Sequence, residues 1–310
     1  MERIDQATFE FDPRFGIIIG VLVAIMVFAV ALDLRWDQFL RVFRNPKAPL
    51  IGLIAQLVIL PAVAFAIGRY IVDTPSVALG LLLVASCPGG SVSNYMTSLA
   101  RGDVATSVTI TAVITVTCIV TTPVLFTFLA SSNPATLALL REIGIKPGEL
   151  AAMFLITVAI PIAVGMLLAA RRPALAAKIR VWARRVSMVL FVLIVVTGTL
   201  LNMKLMLDYA GEALIPVTLA CAVALAVGWG LSRLIGLGAA DRRAVTIEAG
   251  GQQAGLAIGI AVAFFPTLTG VAVTAAIWGA VQIVLIVPLV GIWSRMPPAG
   301  GDQSARTSTR

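Results

Sequence analysis

Residues Ser86-Cys87-Pro88-Gly89-Gly90-Ser91-Val92-Ser93-Asn94 interrupt an apolar run that extends over 77–100. A second interruption, Glu248-Ala249-Gly250-Gly251-Gln252-Gln253-Ala254-Gly255, falls inside the apolar run 244–265. Pro88 removes a backbone donor and clashes with the preceding turn, and paired glycines relax φ. Both segments are therefore predicted to unwind, each leaving two half-helices with free carbonyls and amides between them. Unwound backbone at membrane depth persists only where it lines a cavity or meets a ligand.

The composition makes the setting a membrane. Of 310 residues 59% are apolar and 12% charged, with a mean hydropathy of +1.01; soluble domains carry about 25% charged residues. So little charge cannot cover a globule, which excludes a soluble enzyme, a disordered chain and a secreted disulfide scaffold. A bilayer core of about 30 Å needs about 20 apolar residues per helix. Nine stretches meet that need: 15–32, 49–71, 77–100, 104–130, 150–170, 186–203, 213–231, 244–265 and 269–293. The alternation of a β-barrel is missing, so the expected fold is an all-α polytopic membrane protein of nine spans.

Lys and Arg orient it, because cytoplasmic loops are enriched in them. Nine spans put 17 of the 23 basic residues in one set of loops, with a cluster of six at Arg171, Arg172, Lys178, Arg180, Arg184 and Arg185. The other set holds Arg3, Arg14, Arg69, Arg141, Lys146 and Lys204. The N-terminus is thus expected outside a cell (inner) membrane and the C-terminus in the cytoplasm. The net charge of +8 is topological and calls for no nucleic-acid partner. Residues 1–14 lack the basic start and cleavage site of a signal peptide and read as an extracytoplasmic segment. The polar tail 294–310 reads as disordered.

The two interrupted spans are the third and the eighth, so they run in opposite directions. Paired interruptions in two halves of a chain point to an inverted-repeat transporter with its site at mid-membrane. The competing explanation is close helix packing through small residues. Glu248 is the informative acid: at mid-span a carboxylate costs about 2.5–3.5 kcal/mol and marks an ion or proton path. Alternatively it snorkels to the cytoplasm, five residues after Arg243.

Neutral oxygens stand near it in sequence or in register. Gln252 and Gln253 follow it; Ser93 and Asn94 open the second half of the third span; Ser107 and Thr111 share a helix face; Gln56 precedes Pro61 by five. A carboxylate among neutral oxygens suits a hard cation. The chain has no histidine, and Cys87, Cys118 and Cys221 form no cluster, so soft metals and imidazole relays are excluded. Sodium or a proton remains.

These motifs resemble the bile acid:sodium symporter family, in particular its bacterial members. The stretch 34–50 with Asn45-Pro46-Lys47, Gln56 to Pro61, CPGGSVSNYMTSLARGDVATSVTITAV (87–113) and TIEAGGQQAGLA (246–257) carry the likeness. The resemblance implies two inverted repeats divided into a panel (15–48 with 149–207) and a core (49–148 with 208–293). It implies two Na⁺ as coupling ions and no other cofactor. By position, Ser93, Asn94, Ser107, Thr111 and Glu248 look like one sodium site. Gln56, Glu248, Gln252 and the carbonyls of Ala249 and Gly251 look like the other. Ser91, Asn94, Gln253 and Gln282 look like substrate contacts, and Pro88, Gly89, Gly90, Gly250 and Gly251 like the helix breaks. Two positions depart from the family pattern: Gln253 stands where Asn is usual, and Gln282 is followed by Ile283 where a second polar residue is common.

The expected function is sodium-coupled symport of an organic anion, a carboxylate or sulfonate such as a bile acid or pantoate, by alternating access, with no enzymatic chemistry. The alternative is a proton-coupled efflux carrier of a small oxyanion such as arsenite, with Cys87 at the helix break as the metalloid contact. Oligomeric state is not written in the sequence.

Overall fold

The computed structural model describes residues 21–25, 27–29, 31, 32, 42, 45–144, 146, 148, 149, 152, 158–183, 185, 186, 189 and 203–296. The expected extracytoplasmic segment 1–14, most of the loop 34–44, most of the span 186–203 and all but the first residues of the tail lie outside these.

Besides shorter helical stretches at 21–25, 27–29 and 173–183, ten helices organise the described part. α1 covers Lys47–Tyr70, α2 Pro75–Ser86, α3 Ser91–Leu99, α4 Val104–Ser132 and α5 Pro134–Glu142. α6 covers Ile160–Arg171, α7 Met203–Leu234, α8 Ala239–Gly250, α9 Ala254–Phe264 and α10 Thr269–Ser294. Four helices, or parts of them, are long and apolar enough to cross a membrane unaided: Lys47–Tyr70, Val104–Ser132, Gly211–Leu234 and Thr269–Ser294. The pairs α2/α3 and α8/α9 are the two interrupted spans. The breaks are narrower than the sequence suggested: only 87–90 and 251–253 leave the helix, and Glu248, Ala249 and Gly250 remain in the last turn of α8.

Local sequence explains the boundaries. Pro75 and Pro134 stand at helix starts, where a missing N–H costs nothing. The Asp103 side chain caps α4 by accepting from the Thr106 N–H at 2.8 Å. Asn133 ends α4 and opens α5, its Oδ1 accepting from the Ala135 N–H at 3.1 Å. Pro61 cannot donate to Leu57, and the turn just before it widens into a π-helix over Ala55–Ile59. That wide turn carries Gln56.

The interrupted spans pack against continuous helices: α2 against α10 and α1, α8 against α7, and both α3 and α8 against α4. Contacts are close because small residues face each other. A Cβ on Gly270 would stand 1.9 Å from Ser76 Oγ, and one on Gly80 would stand 2.6 Å from Thr274 Cβ. In lipid, such close van der Waals contact holds helices together where no hydrophobic gain exists between them.

Candidate functional site

The two breaks meet. Gly89 and Gln252 form an antiparallel bridge, the one β-bridge among the described residues. The Gln253 N–H donates to Pro88 O at 3.0 Å, and the Gly90 N–H reaches Gly251 O at 3.4 Å. Each broken helix thereby supplies partners for the other's freed backbone.

Pairing across the bridge takes donors away from α8. In a continued helix the Gln252 and Gln253 amides would serve the carbonyls of Glu248 and Ala249. Here the Gln252 N–H goes to Gln282 Oε1 at 2.8 Å, and that of Gln253 goes to Pro88. Glu248 O receives the Gln56 side-chain Nε2 instead. Ala249 O is left without its helical donor at the end of a helix, where the dipole is negative.

Glu248 is fully buried at this point. Its Oε1 accepts from Ser93 Oγ at 2.7 Å, Ser107 Oγ at 2.5 Å and Thr111 Oγ1 at 2.9 Å. Asn94 Oδ1 lies 2.8 Å from Ser107 Oγ and 3.3 Å from Thr111 Oγ1. Ser93 Oγ also stands 2.5 Å from Gly90 O, and Thr111 Oγ1 3.1 Å from Ser107 O. Seven short oxygen–oxygen contacts thus fall to three hydroxyls, which own three protons. An oxygen cluster short of protons is the donor set of a hard cation.

A second set lies on the other carboxylate oxygen. Glu248 Oε2 and Gln56 Oε1 are both buried without a hydrogen-bond partner. A Cβ on Gly89 would stand 2.9 Å from the first and 3.5 Å from the second, so the missing side chain keeps this space open. Gln252, 3% exposed, has both amide atoms unpartnered. A buried, unpartnered carboxylate oxygen costs several kcal/mol unless a cation meets it. No Lys or Arg among the described residues hydrogen-bonds Glu248.

Residues 20–209 match the family described as the Sodium Bile acid symporter family. The chain belongs to the sodium bile acid symporter family. It is similar to the uncharacterized sodium-dependent transporter YocS of Bacillus subtilis, 30% identical over 269 residues, covering 85% of this chain and 80% of that one. It is also 30% identical over 231 residues to the probable chloroplastic sodium/metabolite cotransporter BASS2 of Oryza sativa, 74% of this chain and 53% of the relative. The human sodium/bile acid cotransporter 4 is 25% identical over 257 residues, 81% of this chain and 57% of the relative. Membership in this symporter family makes the chain a polytopic membrane protein of sodium-coupled secondary transport.

Of the residues singled out in the sequence, Ser93, Asn94, Ser107, Thr111 and Glu248 are joined in one hydrogen-bonded cluster, and Gln56, Gln252, Ala249 and Gly251 stand at the carboxylate's end of α8. Asn94 sits in the first oxygen cluster, although the sequence also suggested a substrate contact. Gln253 lines a cavity with Pro88, Thr115 and Cys118. Gln282 lines another with Gly90, Ser93 and Gln252 while accepting the Gln252 N–H. The Ser91 side chain lies outside the described residues. Gly250 closes α8 and Gly251 caps it, while Pro88, Gly89 and Gly90 form the other break. Cys87 is 5% exposed and ends α2, its N–H on Val84 O at 3.1 Å.

Two roles escaped the sequence reading. Thr122, one 11-residue step beyond Thr111 on α4, donates to Ser86 O at 2.6 Å and satisfies the end of α2. Arg243 reaches three carbonyls: Ala100 O at 2.8 Å, Trp293 O at 3.2 Å and Met296 O at 2.8 Å. It was counted only as a topological charge; that Arg243 is 7% exposed needed the fold.

Proposed function

We propose that the chain imports an organic anion together with two Na⁺, which bind on either side of the Glu248 carboxylate. The observation that carries this reading is the convergence of three hydroxyls on Glu248 Oε1, two of them shared with the Asn94 amide oxygen, with Oε2 left unpartnered beside Gln56. One site takes Ser93, Asn94, Ser107, Thr111 and Glu248. The other takes Gln56, Glu248, Gln252 and the carbonyls of Ala249 and Gly251. Both draw ligands from α8 and from a helix of the first half of the chain, so ion binding holds the crossing in one arrangement. An ion that binds one arrangement better than another shifts the population between them, which is what alternating access requires.

A repeat organisation supports the same reading. Pro123 is the twentieth residue of α4 and Pro288 the twentieth of α10, each helix following an interrupted one. On this reading 49–148 with 208–293 form the core and 15–48 with 149–207 the panel, nine spans in all, in a cell membrane with the N-terminus outside. The substrate is a carboxylate or sulfonate, met beside the crossing by Ser91, Gln253 and Gln282 in the absence of any Lys or Arg in the cluster. With a monoanion the cycle carries one net positive charge inward.

The test is uptake into proteoliposomes under an imposed Na⁺ gradient, with pantoate and taurocholate as probes. Glu248→Ala and Glu248→Gln are expected to abolish Na⁺-driven uptake while the protein still reconstitutes. Uptake at the wild-type rate in Glu248→Ala would overturn the assignment.

A further inference from the structure

Residues 150–207 contain no Asp or Glu, yet six Lys and Arg fall within 171–185. Residues 173–183 form a short helix directly after α6. Its Ala176, Ile179 and Ala183, spaced i, i+3 and i+7, lie on one face and pack with Ala29 and Leu32 of the first span and with Leu168 and Ala169 of α6. The helix is therefore fastened to the ends of two spans, at the membrane boundary.

The remaining faces are unusual for a protein loop. Leu175 and Trp182, two turns apart, are 46% and 67% exposed. Lys178 and Arg185, also two turns apart, are exposed along the adjoining line, and Arg171 and Arg172 are exposed at the start. An apolar stripe with an aromatic residue, bordered by the exposed cations Arg171, Lys178 and Arg185, is the pattern of a helix lying in the headgroup layer. Each such cation near an anionic leaflet adds to the attraction toward it.

We infer that helix 173–183 is a docking surface for anionic phospholipid, with Leu175 and Trp182 inserted among the acyl chains and Arg171, Lys178 and Arg185 on the phosphates. The occupant is a lipid leaflet because the apolar stripe and the charge run side by side on one helix; a soluble phosphate would use only the charge. The helix packs on the first span and α6, so bound lipid holds those two spans at a fixed depth. For transport this means that the spans carrying no ion ligand are the ones tied to the bilayer. That last consequence rests on the proposed division into panel and core; the lipid site itself does not.

The experiment compares the purified protein in phosphatidylcholine nanodiscs with and without phosphatidylglycerol. Phosphatidylglycerol is expected to raise the thermal midpoint by several degrees at low salt, and the rise is expected to vanish in Lys178→Gln/Arg185→Gln. Arg69→Gln, at the far end of α1, is expected to keep it. Brominated phosphatidylglycerol is expected to quench tryptophan fluorescence in the wild type and measurably less in W182F. An unchanged rise in the double variant, or equal quenching in W182F, would overturn the site. A rise produced by inorganic phosphate in pure phosphatidylcholine discs would replace lipid by a soluble anion. None of these readouts requires transport, so their failure is separate from failure of the sodium reading.

Discussion

Ser107 Oγ lies 2.5 Å from Glu248 Oε1, joining the start of α4 to the end of α8 across 141 residues. The hydroxyl is shared with Asn94 Oδ1, and Thr111 one turn along makes the same two contacts. Removing either hydroxyl takes one oxygen from the cluster and leaves Glu248 in place. Ser107→Ala and Thr111→Val are each expected to raise the half-saturating Na⁺ concentration of uptake by about tenfold, equivalent to about 1.4 kcal/mol. The double variant is expected to be non-additive, since the two share both partners. Unchanged sodium dependence in both single variants would remove the first ion site.

Gly89, in the break between α2 and α3, stands against the second carboxylate oxygen. A methyl there would stand 2.9 Å from Glu248 Oε2 and 3.0 Å from Gln56 Nε2. Gly89→Ala is expected to fold, because both neighbours are side-chain ends, yet to bind Na⁺ at least tenfold more weakly, again about 1.4 kcal/mol. Sodium-dependent thermal shift measured against potassium reads this directly.

Gln282 supplies the acceptor for the Gln252 N–H at 2.8 Å. Gln282→Leu leaves that amide buried and unpaired, at a cost of about 1–3 kcal/mol. Gln282→Glu keeps an acceptor and replaces the amide donor at the cavity by a negative oxygen. The leucine variant is expected to lose sodium affinity, whereas the glutamate variant is expected to keep sodium affinity and lose anion affinity. Separate titrations of Na⁺ and of the anion distinguish the two.

Arg243 satisfies carbonyls at the ends of α3 and α10, where helix dipoles are negative. Arg243→Ala is expected to lower the thermal midpoint in detergent and Arg243→Lys to recover part of it. A structural clamp predicts that sodium dependence persists in whatever fraction folds. Loss of sodium dependence at full stability would assign Arg243 a different role.

Gly270 and Ser76 interlock α10 with α2. Gly270→Ala forces a methyl to within 1.9 Å of Ser76 Oγ and is expected to destabilise by about 1–3 kcal/mol, the range for overpacking. Ser76→Gly in the same chain is expected to restore most of the loss in a thermal-shift measurement.

The breaks were legible in the sequence because Pro88 and the paired glycines act locally: each forbids or weakens a helix whatever surrounds it. Glu248 was legible for a similar reason, since a charge in an apolar run is costly in any fold. The widths of the breaks were not legible. Glu248 to Gly250 remain helical because α8 packs along α7, a tertiary gain that outweighs glycine's weak propensity. The π-turn that carries Gln56 is a compromise between Pro61 and the neighbours of α1, and no pattern announces it. α5 lay unread in a connection, because a nine-residue helix held by Asn133 and buried Thr136 has no span-length apolar run. The partner of the Gln252 amide could not be foreseen at all, for it lies on another helix 30 residues away.

The Gly89–Gln252 bridge also constrains how the chain is made. Its two residues come from opposite halves, and the first is synthesised long before the second. Until then Pro88 O and the Gly90 N–H lack the partners they find in the second half and must be shielded by water, by lipid headgroups or by the insertion machinery. The first half is consequently an incomplete unit during biogenesis, finished only when α8 and α9 arrive. A chain cut between α5 and α6 should therefore accumulate only when both fragments are expressed together, each acting as the other's chaperone.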